Sequence, residues 1–302
     1  MRSVVKNTLA VTAAGALALG LAATSAGATD TSGDSRSDRG RDNLRVIGLS
    51  YGTTLSTFTT KHPENARTIG SVRLTGDTRL VGIDYRVQNG ALYGVGDTGG
   101  LYRIEPSTAA ATKVGRLTIA LSGTHFGVDF NPAANALRVV SDTGQNLRQP
   151  FATIDDGNAM NDAPTVTDGP LNTPGGAATP VPGPATQGVT GAAYTNNDLD
   201  AATATTLFDL NTTTDTVAIQ SPANSGFLAT TGSLGVDFAA DSGFDIYSKL
   251  RPKATGRAVE LFPYAVSNGR LYDVDLLTGQ AEDEGRIGVA GVTDLAIPLN
   301  QL

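Results

Sequence analysis

Aspartate recurs in one setting along the chain. Asp84, Asp129 and Asp237 each follow a glycine by two residues inside a short apolar run: Val81-Gly82-Ile83-Asp84-Tyr85, Phe126-Gly127-Val128-Asp129-Phe130 and Leu234-Gly235-Val236-Asp237-Phe238. Asp294 belongs to a looser copy, Gly291-Val292-Thr293-Asp294-Leu295. Side chains alternate along a strand, so the glycine and aspartate of each strict copy share a face. Copies lying side by side would place Asp84, Asp129, Asp237 and Asp294 around one opening. Such a ring, together with backbone carbonyls, suits calcium, which takes about six to eight oxygens. The competing reading is structural, with each aspartate accepting backbone N–H groups at a turn. Another copy, Thr190-Gly191-Ala192-Ala193-Tyr194, carries alanine where the aspartate would stand, which favours the structural reading.

The remaining candidates are sparse. The chain has two histidines, His62 and His125, and no cysteine. A histidine-rich or cysteine-ligated metal centre, a disulfide scaffold and a thiol nucleophile are therefore excluded. His62 lies in the polar turn Lys61-His62-Pro63-Glu64-Asn65, whereas His125 immediately precedes an aspartate-bearing run and is the better candidate for a general base. Arg138, Asn146 and Arg148 form the densest polar group. Arg138 interrupts an apolar strand and calls for a partner, since buried arginines need one. Two readings of this group stand: an inter-blade ion pair to a repeat aspartate, or a carboxylate- or sugar-binding pocket at the mouth of a ring. No nucleophile elbow, phosphate loop or dinucleotide fingerprint occurs, and the near-match Gly94-Val95-Gly96 opens no helix.

The elements that would position these residues are strands. From Leu44 onward the segments are short and rich in Val, Ile, Leu, Tyr, Phe and Thr, and Gly, Asn-Gly and Pro punctuate them. The five copies recur at intervals near 45 residues, stretched where insertions intervene at Ala163–Gln187 and Lys249–Arg257, which is the period of a four-stranded propeller blade. Residues 80–117 read as one whole blade. The last copy has no strands after it, while the N-terminal strands at 46–51, 55–60 and 66–72 have no inner strand before them. The expected fold is therefore an all-β, five-bladed β-propeller, closed by a C-terminal inner strand pairing with N-terminal outer strands.

Met1, Arg2 and Lys6 precede an Ala/Leu-rich run that ends at Ala26-Gly27-Ala28, the pattern of a cleaved signal peptide over residues 1–28. The run is short for a bilayer span, so no membrane segment is expected after cleavage. Residues 29–43 carry mixed charge and no aliphatic side chain, the composition of a disordered leader. Residues 44–302 are expected to form a single propeller domain. The net charge is −7 and argues against nucleic acid as a partner. The expected location is secreted or cell-envelope associated.

Several segments together carry a resemblance: Gly127-Val128-Asp129-Phe130-Asn131-Pro132, Leu137-Arg138-Val139-Val140-Ser141, Gly144-Gln145-Asn146-Leu147-Arg148, Gly188 through Asn196, and Thr206-Leu207-Phe208-Asp209-Leu210. Over residues 44–297 the chain resembles the exported bacterial family catalogued as domain of unknown function 4394. That resemblance carries no activity and assigns no functional residue. The favoured function is a secreted, non-catalytic binding or scaffold propeller that needs no cofactor. Its partner would be an extracellular protein, glycan or small molecule. The alternative is a calcium-dependent, lactonase-like hydrolase that uses the aspartate ring with His125.

Overall fold

The computed structural model describes residues 42–151, 163–174, 181–200, 203–251 and 258–302. The expected signal peptide and the leader up to residue 41 lie outside the described residues, as do residues 175–180 and 252–257 of the two insertions.

Twenty strands follow one another. They are β1 (Arg45–Ser50), β2 (Thr54–Thr59), β3 (His62–Ser71), β4 (Leu80–Arg86), β5 (Ala91–Gly96), β6 (Gly100–Glu105), β7 (Ala110–Arg116), β8 (Phe126–Asn131), β9 (Ala136–Ser141) and β10 (Asn146–Pro150). They continue as β11 (Val166–Thr167), β12 (Val189–Tyr194), β13 (Leu207–Asn211), β14 (Thr216–Gln220), β15 (Leu228–Ser233), β16 (Gly243–Arg251), β17 (Ala258–Ser267), β18 (Arg270–Val274), β19 (Ala281–Arg286) and β20 (Val292–Ala296). Among the described residues the one helical turn is a 3-10 segment, Ala223–Ser225. Short loops join neighbouring strands wherever the chemistry permits a left-handed backbone. At Asn268-Gly269 both residues have positive φ, 51° and 72°, and β17 turns into β18 in two residues.

The strands pair antiparallel into five four-stranded sheets, each running from an inner to an outer strand. Blades 2 to 5 are β4–β7, β8–β11, β12–β15 and β16–β19, and blade 1 combines β20 with β1, β2 and β3. The expected closure is therefore present, with Ile47 opposite Ala296 and Leu49 opposite Asp294. A chain built this way cannot lose its last strand without exposing the edge of its first blade.

Blade-to-blade contacts supply the core. Between blades 2 and 3, the rings of Tyr93, Phe130 and Phe151 pack edge to face with centroids 4.7 to 5.5 Å apart. Nearer the axis the backbones themselves meet. A Cβ on Gly127 would lie 2.5 Å from the Ala192 nitrogen, and one on Gly243 would strike the Asp294 backbone. Glycine in the inner strands is thus a steric requirement of ring size.

One inner strand differs from expectation. Leu234–Phe238 copies the repeat in sequence but forms the loop between β15 and β16, and the inner strand of blade 5 is β16, with Gly243-Phe244-Asp245 as its Gly-x-Asp. Gly235 adopts φ 74°, which a strand does not accommodate. Leu234 donates its N–H to the Asp215 carbonyl at 2.8 Å, and Phe238 stacks on Tyr272 with centroids 4.8 Å apart, so both apolar residues anchor the loop onto the outer sheets. The insertion around Lys249–Arg257 is also less loop than expected, because β16 and β17 stay paired out to Arg251 and Ala258.

The Gly127 contact yields a direct expectation. Gly127→Ala should lower unfolding free energy by about 1–3 kcal/mol in denaturant titration, since the neighbouring blade must move to admit the methyl group.

Candidate functional site

The five inner strands run side by side in one direction and in constant register. Gly82 abuts Val128, Gly127 abuts Ala192, Gly191 abuts Phe244, and Gly243 abuts Asp294, which in turn reaches Gly82. Glycines of four blades and Asp294 of the fifth therefore form one layer. Two residues further along each strand lies a second layer: Asp84, Asp129, Ala193, Asp245 and Ala296. The residue that follows each of these presents its N–H toward the axis, and three carboxylates accept all five.

Asp84 accepts from Tyr85 at 2.6 Å and from Phe130 of the next blade at 2.7 Å. Asp129 accepts from Tyr194 of the next blade at 3.1 Å, and Asp245 accepts from Ile246 and from Ile297 of blade 1, both at 2.6 Å. The pattern has a simple rule. Each N–H goes to the aspartate of the preceding blade, and where that blade offers Ala193 or Ala296 it goes to its own. The bonds occupy five of the six carboxylate oxygens, leaving Asp129 Oδ2.

Asp84, Asp129 and Asp245 each offer an oxygen within 4.8 Å of the others. All three side chains are buried. Burial pushes the carboxyls of Asp84 and Asp129 well above the usual range, and the neighbouring carboxylates push in the same direction. Burial raises Asp245 to about 6. The space beside them, lined by Tyr85, Tyr194 and Asn196 among others, admits the centre of a water-sized sphere over only about 10 Å³. It has room for one water or one bare ion.

The expected aspartates are thus partly reassigned. Asp84 and Asp129 converge. Asp237 does not, because it lies exposed in the loop before β16, with its backbone carbonyl accepting from Asn268 at 3.1 Å. Asp294 sits one layer away, among the glycines, where it accepts the Ile83 N–H at 2.8 Å and burial raises its pKa. The bulge between Leu49 and Ser50 offsets β20 against β1 and accompanies this shift. Asp245 takes the place expected for Asp237. Its signal was Gly243-Phe244-Asp245, with the same spacing as Gly82-Ile83-Asp84.

The other end of the axis is open. Where the inner strands begin, Tyr51, Arg79, Thr124, His125, Asp241, Ser242 and Thr293 line a cleft of about 190 Å³. His125 Nδ1 lies 3.3 Å from Asp241 Oδ1. His125 precedes Asp129 by four residues of strand, about 13 Å along the axis. The histidine and the aspartate cluster therefore occupy opposite ends of the ring, contrary to the joint site that the hydrolase reading requires. His62 sits on the outer strand β3, exposed, 3.2 Å from Glu64.

Arg138, Asn146 and Arg148 do meet, but between blades 3 and 4. Arg138 is 2% exposed and donates to Asp168 at 2.7 Å, to Asn146 at 2.7 Å and, across the blade boundary, to Asn224 at 2.9 Å and Tyr194 at 3.3 Å. Arg148 shares Asp168, with Nε–Oδ2 3.1 Å. The ion-pair partner is Asp168, not a repeat aspartate. These residues lie apart from both axial openings described above. Nearby on β13, facing Ala192 and Ala218 across the sheet, Asp209 is fully buried and neither of its oxygens finds a hydrogen-bond partner.

Five four-stranded sheets about one axis, sealed by the last strand, define a β-propeller of five blades. The chain belongs to the family described as Domain of unknown function (DUF4394), whose model matches residues 54–296. No curated protein matches it. Among solved structures, it is similar to a chain of a nidogen/laminin complex at 11% identity, covering 86% of this chain and 100% of that one, with TM-score 0.46. A protein from Lactobacillus plantarum is similar at 12% identity over 85% of this chain and 99% of that one, TM-score 0.40. An auxiliary nutrient binding protein from Bacteroides thetaiotaomicron is similar at 11% identity, TM-score 0.41, over 80% of this chain; the match spans 64% of that protein's length. Among the described residues no helix is long and apolar enough to cross a membrane.

Asp209 gives the site's pH prediction. Burial lifts its carboxyl from the ordinary 3.8 to about 8, with Arg138 pulling weakly the other way. The folded state therefore favours the protonated acid. The associated stability is fully present below about pH 4 and is lost as pH rises toward 8. Asp209→Asn, which cannot ionise, should flatten the decline of unfolding free energy across that window in denaturant titrations at stepped pH.

Proposed function

We propose that this protein is an exported, non-catalytic binding propeller that holds its ligand at the open mouth lined by Tyr51, Arg79, His125 and Asp241. The observation that carries this reading is the roughly 190 Å³ cleft on the ring axis, where an aromatic ring, a cation and a His–Asp pair converge from four loops. Propellers present loops at such mouths, and recognition residues concentrate on loops held by a rigid scaffold. Export rests on the basic start, apolar run and Ala26-Gly27-Ala28 of the N-terminus. Mass analysis of the protein recovered outside the cell should give an N-terminus at Thr29; an intact Met1 there would contradict export by cleavage.

The mouth is tested by filling it. Thermal unfolding screened against glycans, peptides and small metabolites should identify compounds that raise Tm by mass action, and Thr293→Tyr should abolish their effect. Stabilisation that survives Thr293→Tyr, or turnover of a bound compound, would contradict the reading.

The calcium-dependent alternative has one observation in its favour, the convergence of Asp84, Asp129 and Asp245. Against it stand the five N–H groups that already occupy those carboxylates and the remoteness of His125. The two diverge with pH. With chelator present, the Asp245 contribution to stability should be lost as pH rises from about 4 through about 6, because its folded pKa is raised. A calcium ion on the three carboxylates would reverse that loss and raise Tm at neutral pH. Equal Tm with calcium and with chelator would leave the aspartates as backbone acceptors.

A further inference from the structure

We infer that the mouth takes the terminal unit of an acidic glycan: a single sugar ring bearing one carboxylate. The inference rests on the reading of the mouth as the ligand site and adds the chemistry of what enters it. Four features of that mouth point the same way.

The first is Tyr51. Its side chain is 65% exposed, yet its backbone sits at φ 52°, a conformation that bulky residues seldom adopt. Its N–H bonds the Gly291 carbonyl at 2.8 Å, and the ring lies against Gly291 where any Cβ would collide with it. Tyr51 and Gly52 (φ 68°) are the central residues of the turn from β1 to β2, closed by the Thr53 N–H on the Ser50 carbonyl at 3.0 Å, and tyrosine stands at a place that asparagine or glycine usually takes. A ring seated on Gly291 at the rim of a polar cleft offers a flat apolar face to the C–H side of a sugar.

The second is Arg79. It is exposed, lines the cleft, and its guanidinium has no ion pair or hydrogen bond among the described residues. Its fork of donors matches a carboxylate.

The third is the state of the hydroxyls. Thr124 donates to Asp142 at 2.6 Å, Thr293 to the Leu49 carbonyl at 3.3 Å, and Ser242 to the Ala239 carbonyl. Each has committed its proton and keeps acceptor lone pairs, so together they are set to receive the O–H donors of a polyol. Asp241 adds carboxylate acceptors.

The fourth is size and charge. A cleft of about 190 Å³ is below the ~300 Å³ at which pockets hold drug-sized ligands, and it fits one ring with the rest of the chain outside. A protein of net charge −7 disfavours a polyanion while leaving room for a lone carboxylate at Arg79.

The test uses the full chain with paired oligosaccharides that differ only in their terminal residue, glucuronate against glucose and galacturonate against galactose. Calorimetry should show the acidic member binding about tenfold or more tightly, the scale of one charge-assisted hydrogen-bond pair. Arg79→Gln should erase the difference between the pair. Tyr51→Asn removes the ring while tolerating the left-handed backbone, and should weaken both members. Equal binding of the two members, or an acid preference that survives Arg79→Gln, would overturn the inference. So would binding of carboxylate-terminated peptides in place of every glycan. In those cases sensitivity of the bound compound to Thr293→Tyr decides separately whether the mouth is the ligand site.

Discussion

Five backbone N–H groups point at the axis of this molecule, and three carboxylates satisfy them. Inner strands of a small ring stand so close that glycines of four blades and Asp294 of the fifth fill one layer, and the next layer provides acceptors for the buried donors. Buried unpaired N–H groups cost free energy comparable to a lost hydrogen bond. Asp84, Asp129 and Asp245 meet that demand by passing bonds from blade to blade, two of them serving two donors each. Three of the five bonds cross blade boundaries, joining blade 2 to 3, 3 to 4 and 5 to 1.

That solution creates its own tension. Three carboxylates within 4.8 Å repel one another in a buried site, and ionising all of them is unfavourable. Burial displaces all three carboxyls upward, and repulsion from Asp245 adds to the shift of Asp84 and Asp129, so that protonation relieves both costs. The N–H ring works the other way, favouring the charged forms. The centre is consequently a structural knot beside a space of about water size, whereas the opposite mouth has a wider cleft lined by polar side chains. The same inner strands connect both ends.

Much of this architecture was legible in the sequence because its cause is local. A glycine followed two residues later by aspartate, repeated at blade spacing, is the imprint of backbone crowding and axial donors, and the unmatched first and last strands disclosed the closure. Leu234–Phe238 misled because it satisfies the same pattern while serving another end: its apolar residues pin a loop, and only the left-handed Gly235 separates it from a strand. A bulge between β1 and β20 accompanies the shift of Asp294 into the glycine layer, and composition does not record it. Arg138 announced its need for a partner, but the identity of Asp168 depended on where a long insertion returns. Tyr51 and Arg79 left no pattern at all, since their importance comes from loops of different blades meeting at one mouth.

The three axial carboxyls share their titration, and carbon-13 NMR of aspartate-labelled protein, titrated with chelator present, reads it directly. Asp84, Asp129 and Asp245 should titrate above the ordinary 3.8, with Asp245 near 6, and Asp245→Asn should lower the midpoints of the other two. Three independent midpoints at or below 3.8 would show fully ionised carboxylates that do not sense one another, and would contradict the account.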